Sequence, residues 1–342
     1  MIEGELHQLN WMSYANESQS NNTVGLQYMG FLELVLFSTV TSVPCCVFLF
    51  INGTMLFTLR SKVVFRETSR YVLLFNLLFA DTVQMSLGQL LFILNAFRIR
   101  LTYPVCGVFT MLAYFTNVIP PLTLVVMSLE RYVAVCYPLR HSTIVTIRNT
   151  AVAIMVVLGF SSLNILTQVI LLLDFKFENL ESLTMKENCV RETMRLGSVS
   201  DLYDKVYVYF VFVSAGVAIL CSYIGVSIAA RSASTDKASA RKGRNTLLLH
   251  MVQLGLSLSS TIHNPLQLVL SKVLDKKIFV RIQIVLYVCV IIFPSCLSSL
   301  IYGIRDQTIR PILINNLCCQ WRCALSLSVV PAKAKSSMHI TS

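Results

Sequence analysis

Apolar residues run through this chain in long blocks, broken at intervals by short polar clusters. Six stretches contain no Lys, Arg, Asp or Glu: 34–59, 101–129, 149–173, 206–230, 245–271 and 282–304. A further stretch, 71–97, contains a single charge, Asp81. About 20 mostly apolar residues cross the hydrocarbon core as a helix, so each block is long enough to span a bilayer. Buried core helices of a soluble protein fit poorly, because such helices are shorter and keep a polar face. The pattern predicts an all-α membrane protein, a seven-transmembrane helix bundle. A short amphipathic eighth helix should follow, in which Ile309, Leu313 and Leu317 share a face. The expected organisation is an extracellular N-terminal tail over 1–30, the seven-transmembrane domain over 31–304, and the amphipathic helix with a cytoplasmic tail over 305–342.

The polar clusters set the orientation. Residues 1–30 carry Glu3, Glu5 and Glu17 but no Lys or Arg, whereas Arg60, Lys62, Arg66 and Arg70 follow the first span. Basic residues favour the cytoplasmic side. The N-terminus is therefore expected outside and, after seven spans, the C-terminus inside, in a multi-pass plasma-membrane protein. Arg140 and Arg148 fall in the second inner loop, and Arg231, Lys237, Arg241, Lys242 and Arg244 in the third. Lys272, Lys276 and Lys277 lie on the predicted outer side and run against this trend. The tail lacks the basic start and apolar middle of a cleaved signal peptide, so the first span is expected to act as its own insertion signal.

Composition agrees with a lipid environment. The chain of 342 residues is 55% hydrophobic and only 13% charged, against about 25% charged in an ordinary soluble domain. The net charge of +11 does not indicate nucleic acid, because the basic residues sit in short clusters between apolar blocks, as membrane loops require. No Gly-rich phosphate loop, HExxH site or nucleophile constellation is present, so no enzyme activity and no cofactor or metal is expected.

Eleven cysteines are scattered rather than framework-spaced. Cys106, at the outer end of span three, and Cys189, in the long outer loop, are the two that fall clearly outside. An oxidising exterior favours a disulfide between them. Cys318, Cys319 and Cys323 follow the amphipathic tail segment and are either palmitoylation sites or reduced cytosolic thiols. Asn16 and Asn21 begin glycosylation acceptor triplets in the outer tail. The triplet at Asn52 lies within span one, out of reach of modifying enzymes.

Polar residues within the spans are the candidates for function, because charge in lipid is costly and usually faces the bundle interior. Asp81 is the one acid deep inside a span, with Asn52 and serines of span seven such as Ser298 as candidate partners. Glu130 and Arg131 close span three at its inner end. The 25 residues from Cys106 to Arg131 make about 37 Å of helix, one membrane thickness. An acid beside Arg131 can hold it, and release would expose a donor-rich guanidinium to an intracellular partner. The pair is equally consistent with an arginine that merely anchors the helix end.

These features occur in an order that resembles the rhodopsin-like G-protein-coupled receptors. Asn52-Gly53 lies in span one, "LLFAD" ends at Asp81, Cys106 opens span three, and Glu130-Arg131-Tyr132 closes it. Tyr223 sits late in span five and Tyr302 ends span seven. Within that family, "MSLERYVAVCYPLRHSTI", "CSYIGV" and "LIYGIRD" resemble olfactory receptors, closest to divergent fish-type odorant receptors. The chain departs from the family pattern at Ser298-Ser299, where Asn-Pro is usual, so the family's sodium pocket and proline kink are not implied. His263, two residues before Pro265, replaces the common aromatic of span six.

The resemblance implies an odorant receptor that couples a small organic ligand to a heterotrimeric G protein of the stimulatory, olfactory type. Glu130, Arg131, Tyr132, Tyr223 and Tyr302 would form the switch. Span seven has no lysine for a retinal Schiff base, and residues 107–129 hold no acid to pair an amine. Helical spacing puts Thr110, Ala113, Tyr114 and Asn117 on one face of span three. Tyr207 in span five and His263 and Gln267 in span six complete a candidate chamber of mostly apolar walls with a few hydrogen-bonding groups. Each of these residues is as consistent with helix packing as with ligand contact. Other readings are a non-olfactory receptor of the same family, for a lipid, nucleotide or peptide, and a transporter or channel. A transporter would require internal repeats and broken helices.

Overall fold

The computed structural model describes residues 31–97, 99–173, 189, 198–232, 241, 244–256, 266, 270, 273–293, 303 and 308–316. Five helices in this set are long and apolar enough to cross a membrane. They are span one (Phe31–Ser61), span two (Ser69–Ala96), span three (Tyr103–Cys136), span four (Ile147–Leu173) and span five (Ser198–Ser232). Residues 244–256, within predicted span six, are helical. Span seven begins at Lys276 as an α-helix to Leu286 and continues as a π-helical turn over Tyr287–Ile292.

The helices overrun the apolar blocks. Span three continues seven residues past Leu129, so Glu130 and Arg131 are helical rather than loop residues. Span seven starts six residues before its apolar block and takes in Lys276, Lys277 and Arg281. Hydropathy marks where lipid ends, whereas backbone hydrogen bonding carries the helix on into the interface. The start of span three follows from Pro104 in its first turn, where the missing N–H has no helical acceptor to lose.

Short links at one end of the bundle keep neighbouring spans antiparallel. Val63–Arg66 forms one helical turn between spans one and two. Pro138–Arg140 and His141–Ile144 form two tight turns after span three. Residues 309–316 are helical and bury Ile309 and Leu313 against the main core.

Span three is the most enclosed of the five and span four the least. The largest core cluster joins Met55 and Leu59 of span one, Leu73, Leu74, Leu77 and Leu78 of span two, Leu124 and Met127 of span three, and Phe212, Ala215 and Ile219 of span five. Outward faces are apolar as well: Met155, Val156 and Leu163 of span four are all exposed. Such a belt suits lipid.

Several hydroxyl and amide groups are satisfied within the bundle, as hydrocarbon requires. The hydroxyls of Thr54, Thr58, Thr82, Ser128 and Ser161 donate to carbonyls three or four residues back. Between helices, Asn76 Nδ2 donates to Thr123 Oγ1 at 3.1 Å, and Gln89 Nε2 to Ser42 Oγ at 2.8 Å. The Tyr287 hydroxyl of span seven donates to Gln89 Oε1 at 3.5 Å, linking spans one, two and seven.

Candidate functional site

Cys106 and Cys189 form a disulfide with a Cα–Cα distance of 5.7 Å. It is buried under Leu91, Leu101, Tyr103 and Leu172. Asn95, at the end of span two, donates to the Cys189 carbonyl at 3.1 Å. Two ties therefore fix Cys189, one to span three and one to span two.

Below the disulfide, Thr110 and Tyr114 are buried on the inward face of span three. The Thr110 hydroxyl is bonded to the carbonyls of Cys106 and Gly107 in its own helix, so it presents a methyl group more than a polar contact. Asn117 is half-buried, and its Oδ1 accepts from Gln84 Nε2 of span two at 3.1 Å. The amide of Asn117 is thereby oriented from across the helix pair. Pro120 and Pro121 follow within the same helix and are buried. Neither has an N–H, so the carbonyls of Thr116 and Asn117 lack their usual helical donor. Span three thus lacks two backbone hydrogen bonds between Tyr114 and Glu130.

Tyr207 of span five packs among aromatic neighbours. Its ring stacks on Phe160 of span four at 6.0 Å and on Tyr203 at 5.8 Å between centroids. His263 and Gln267 of span six lie outside the described residues, as do Ser298 and Tyr302 of span seven. The glycosylation triplets at Asn16 and Asn21, and the tail cysteines Cys318, Cys319 and Cys323, also lie outside them. Asn52 and Asp81 are both buried.

At the inner end of span three, Arg131 Nε lies 3.1 Å from Glu130 Oε2. The two side chains are mostly buried, with 20% and 10% of their surface exposed, so water screens the attraction less than at an open surface. His141, at the first position of the short helix after span three, places Nε2 3.8 Å from the other carboxylate oxygen of Glu130. Glu130 therefore lies between an arginine on its own helix and an imidazole of the following loop, which attracts it only when protonated. Tyr132 packs edge-on to Tyr137 at 6.0 Å and lies against Gly225 of span five. Tyr223, two residues before Gly225, is half-buried.

Sequence reasoning had passed over Gln84, His141, Gly225 and the proline pair. A glycine inside an apolar helix hints at close approach, but the approaching partner cannot be read from the chain. His141 lies in the same quoted stretch as Arg131, ten positions on, and only the turn at Pro138–Arg140 brings it back.

A sequence model described as "7 transmembrane receptor (rhodopsin family)" matches residues 51–302. The chain is 31% identical over 295 residues to odorant receptor 131-2 of Danio rerio, covering 85% of this chain and 88% of that protein. It is 28% identical over 197 residues to olfactory receptor 56A3 of Homo sapiens, covering 55% of this chain and 59% of that protein. With an enclosed third span, a disulfide at one end of it and an acid–arginine pair at the other, this chain belongs to the rhodopsin family of seven-transmembrane receptors.

Proposed function

We propose that this membrane receptor detects a small organic odorant and passes the signal to a heterotrimeric G protein. The single observation that carries the reading is the Glu130–Arg131 ion pair at 3.1 Å, poised one membrane thickness from the Cys106–Cys189 disulfide. The names of the two relatives support an odorant as the ligand. Ligand enters from outside, among spans three, five, six and seven, where Tyr114 and Asn117 line span three. Binding favours a state in which the inner end of span six moves outward. Arg131 then leaves Glu130 for the entering G protein, with Tyr223 and Tyr302 stabilising its new position. Arg241 and Arg244 are exposed, and in this reading the G protein meets them on the cytoplasmic side. In this topology the N-terminus is extracellular and the C-terminus cytoplasmic.

The test is an odorant panel applied to cells expressing the chain with a stimulatory G protein, read as cyclic AMP. Arg131→Ala serves as control at matched surface expression. Responses are expected from the natural chain and not from the variant; undiminished responses in the variant would remove Arg131 from the switch.

A further inference from the structure

The helix over 309–316 is fixed against the end of span one. Asn316 Nδ2 donates to Thr58 Oγ1 at 2.8 Å, and Ile309 and Leu313 are buried in the core that holds Met55 and Leu59. Between the two helices lies a cavity of about 420 Å³, within the roughly 300–1,000 Å³ of small-molecule sites. Phe57, Ser61 and Lys62 line it from the end of span one, and Pro311, Ile312 and Asn316 from the opposite helix.

The cavity opens toward lipid. Val43, Val47, Phe50 and Phe57 are exposed, and helical spacing puts them on one face of span one that runs on to Ser61. In a membrane that face meets hydrocarbon, and the cavity lies where the stripe ends. Its polarity is graded along the helix axis. Lys62 follows Phe57 by five residues, about 7.5 Å. The apolar ring is thus on the side of the bilayer centre and the ammonium on the side of the interface.

Charge narrows the occupant. Lys62 is the one charged residue lining the cavity. It is exposed, and no carboxylate pairs with it among the described residues. Arg60, Arg66 and Arg310 beside it in sequence are exposed as well, and Glu67 is the one acid from 60 to 70. Asn316 uses one amide hydrogen on Thr58, and its second has no partner among the described residues. An ammonium and an amide donor at the rim, with an aromatic wall deeper in, match an anionic head on a hydrocarbon tail. A soluble anion gains nothing from Phe57, and a sterol gives Lys62 no counter-charge. A zwitterionic headgroup brings an ammonium of its own, which these basic residues repel.

We propose that the cavity between the end of span one and the helix over 309–316 binds an anionic phospholipid. Lys62 and Asn316 hold the phosphate, and the acyl chain runs along Phe57 and Ile312. Bound there, the lipid bridges span one and the segment after span seven at the same end of the bundle as Glu130 and Arg131. The site needs a membrane-spanning chain and does not depend on which ligand the receptor detects.

The test uses the full chain in a neutral detergent, with lipid binding read by native mass spectrometry. The probes are phosphatidylglycerol, phosphatidylcholine and glycerol 3-phosphate. Phosphatidylglycerol is expected to bind at least about fivefold more tightly than phosphatidylcholine, the effect of one basic residue at an anionic surface. Lys62→Gln should remove most of that preference. Arg148→Gln, which removes the same charge from an exposed position after span three, should leave it. Phe57→Ala should weaken both lipids. Equal affinity for the two lipids overturns the proposal, as does an equal loss of preference in the Lys62 and Arg148 variants, which would mean diffuse attraction. Glycerol 3-phosphate binding as tightly as phosphatidylglycerol, or unchanged lipid binding in Phe57→Ala, would make this a site for soluble phosphate and overturn it too. No odorant or G protein is present, so the outcome is separate from that of the odorant panel.

Discussion

Gly225 of span five lies so close to the ring of Tyr132 of span three that a methyl group at position 225 would overlap the ring edge. Glycine is therefore what lets the residue after Arg131 seat against span five. Gly225→Ala is expected to push the ring away and loosen the inner ends of spans three and five. Overpacking of this kind costs roughly 1–3 kcal/mol. Basal nucleotide exchange on the G protein should rise at equal surface expression. In a Tyr132→Ala background the same change should have no further effect. Additive effects in that double mutant would show that the contact is not the cause.

The ion pair beside it yields a graded series. Glu130→Gln removes the negative charge that both Arg131 and His141 face, whereas His141→Gln removes only the longer 3.8 Å contact. Basal cyclic AMP should rise clearly in the first and less in the second. A larger effect from His141→Gln would make the loop, rather than Arg131, the main restraint on Glu130.

The disulfide closes a sequence separation of 83 residues. Removing a native disulfide typically costs on the order of 2–5 kcal/mol. Cys189→Ser should lower the thermal stability of the solubilised receptor and its surface expression. Asn95→Ala should do the same more weakly, because it removes one hydrogen bond to the Cys189 carbonyl. Equal losses in the two variants would mean that the loop is held by the hydrogen bond as much as by the sulfur bridge.

The Gln84–Asn117 bond offers a measure of polar coupling inside the bundle. Interhelical hydrogen bonds in membranes average about 0.6 kcal/mol and reach about 1.7. A double-mutant cycle with Gln84→Ala and Asn117→Ala, read by reversible unfolding in bicelles, should return a coupling within that range. A coupling of zero would show that Gln84 does not orient Asn117.

How much of this was legible in the chain follows from what each residue answers to. The spans were readable because lipid excludes charge, and a break in the charge-free run is visible without any partner. Their ends were not, as the seven extra residues of span three show, because helical hydrogen bonding continues past the lipid boundary. The Cys106–Cys189 pairing was readable from compartment alone. Tyr207 was assigned to the chamber with Asn117; that its ring also stacks on Phe160 of span four was not legible. In a soluble helix a polar stripe would have given its rotation. Here span five exposes Val206, Phe210 and Val213 to lipid and buries Val211 and Phe212 in the bundle, so apolarity marks both sides alike.

By itself, then, the sequence determined which segments are apolar enough to cross the membrane, that Glu130 and Arg131 close the third of them, and which two cysteines pair. Those properties depend on transfer between water and lipid, which each segment undergoes alone. Only the tertiary structure decided that His141 comes near Glu130, that Tyr132 rests on Gly225, and that Gln168 accepts from Ser200 of span five. These depend on the rotation of one helix against another, which in lipid is set by side-chain fit and polar pairing between helices, because hydropathy does not distinguish the bundle from the bilayer.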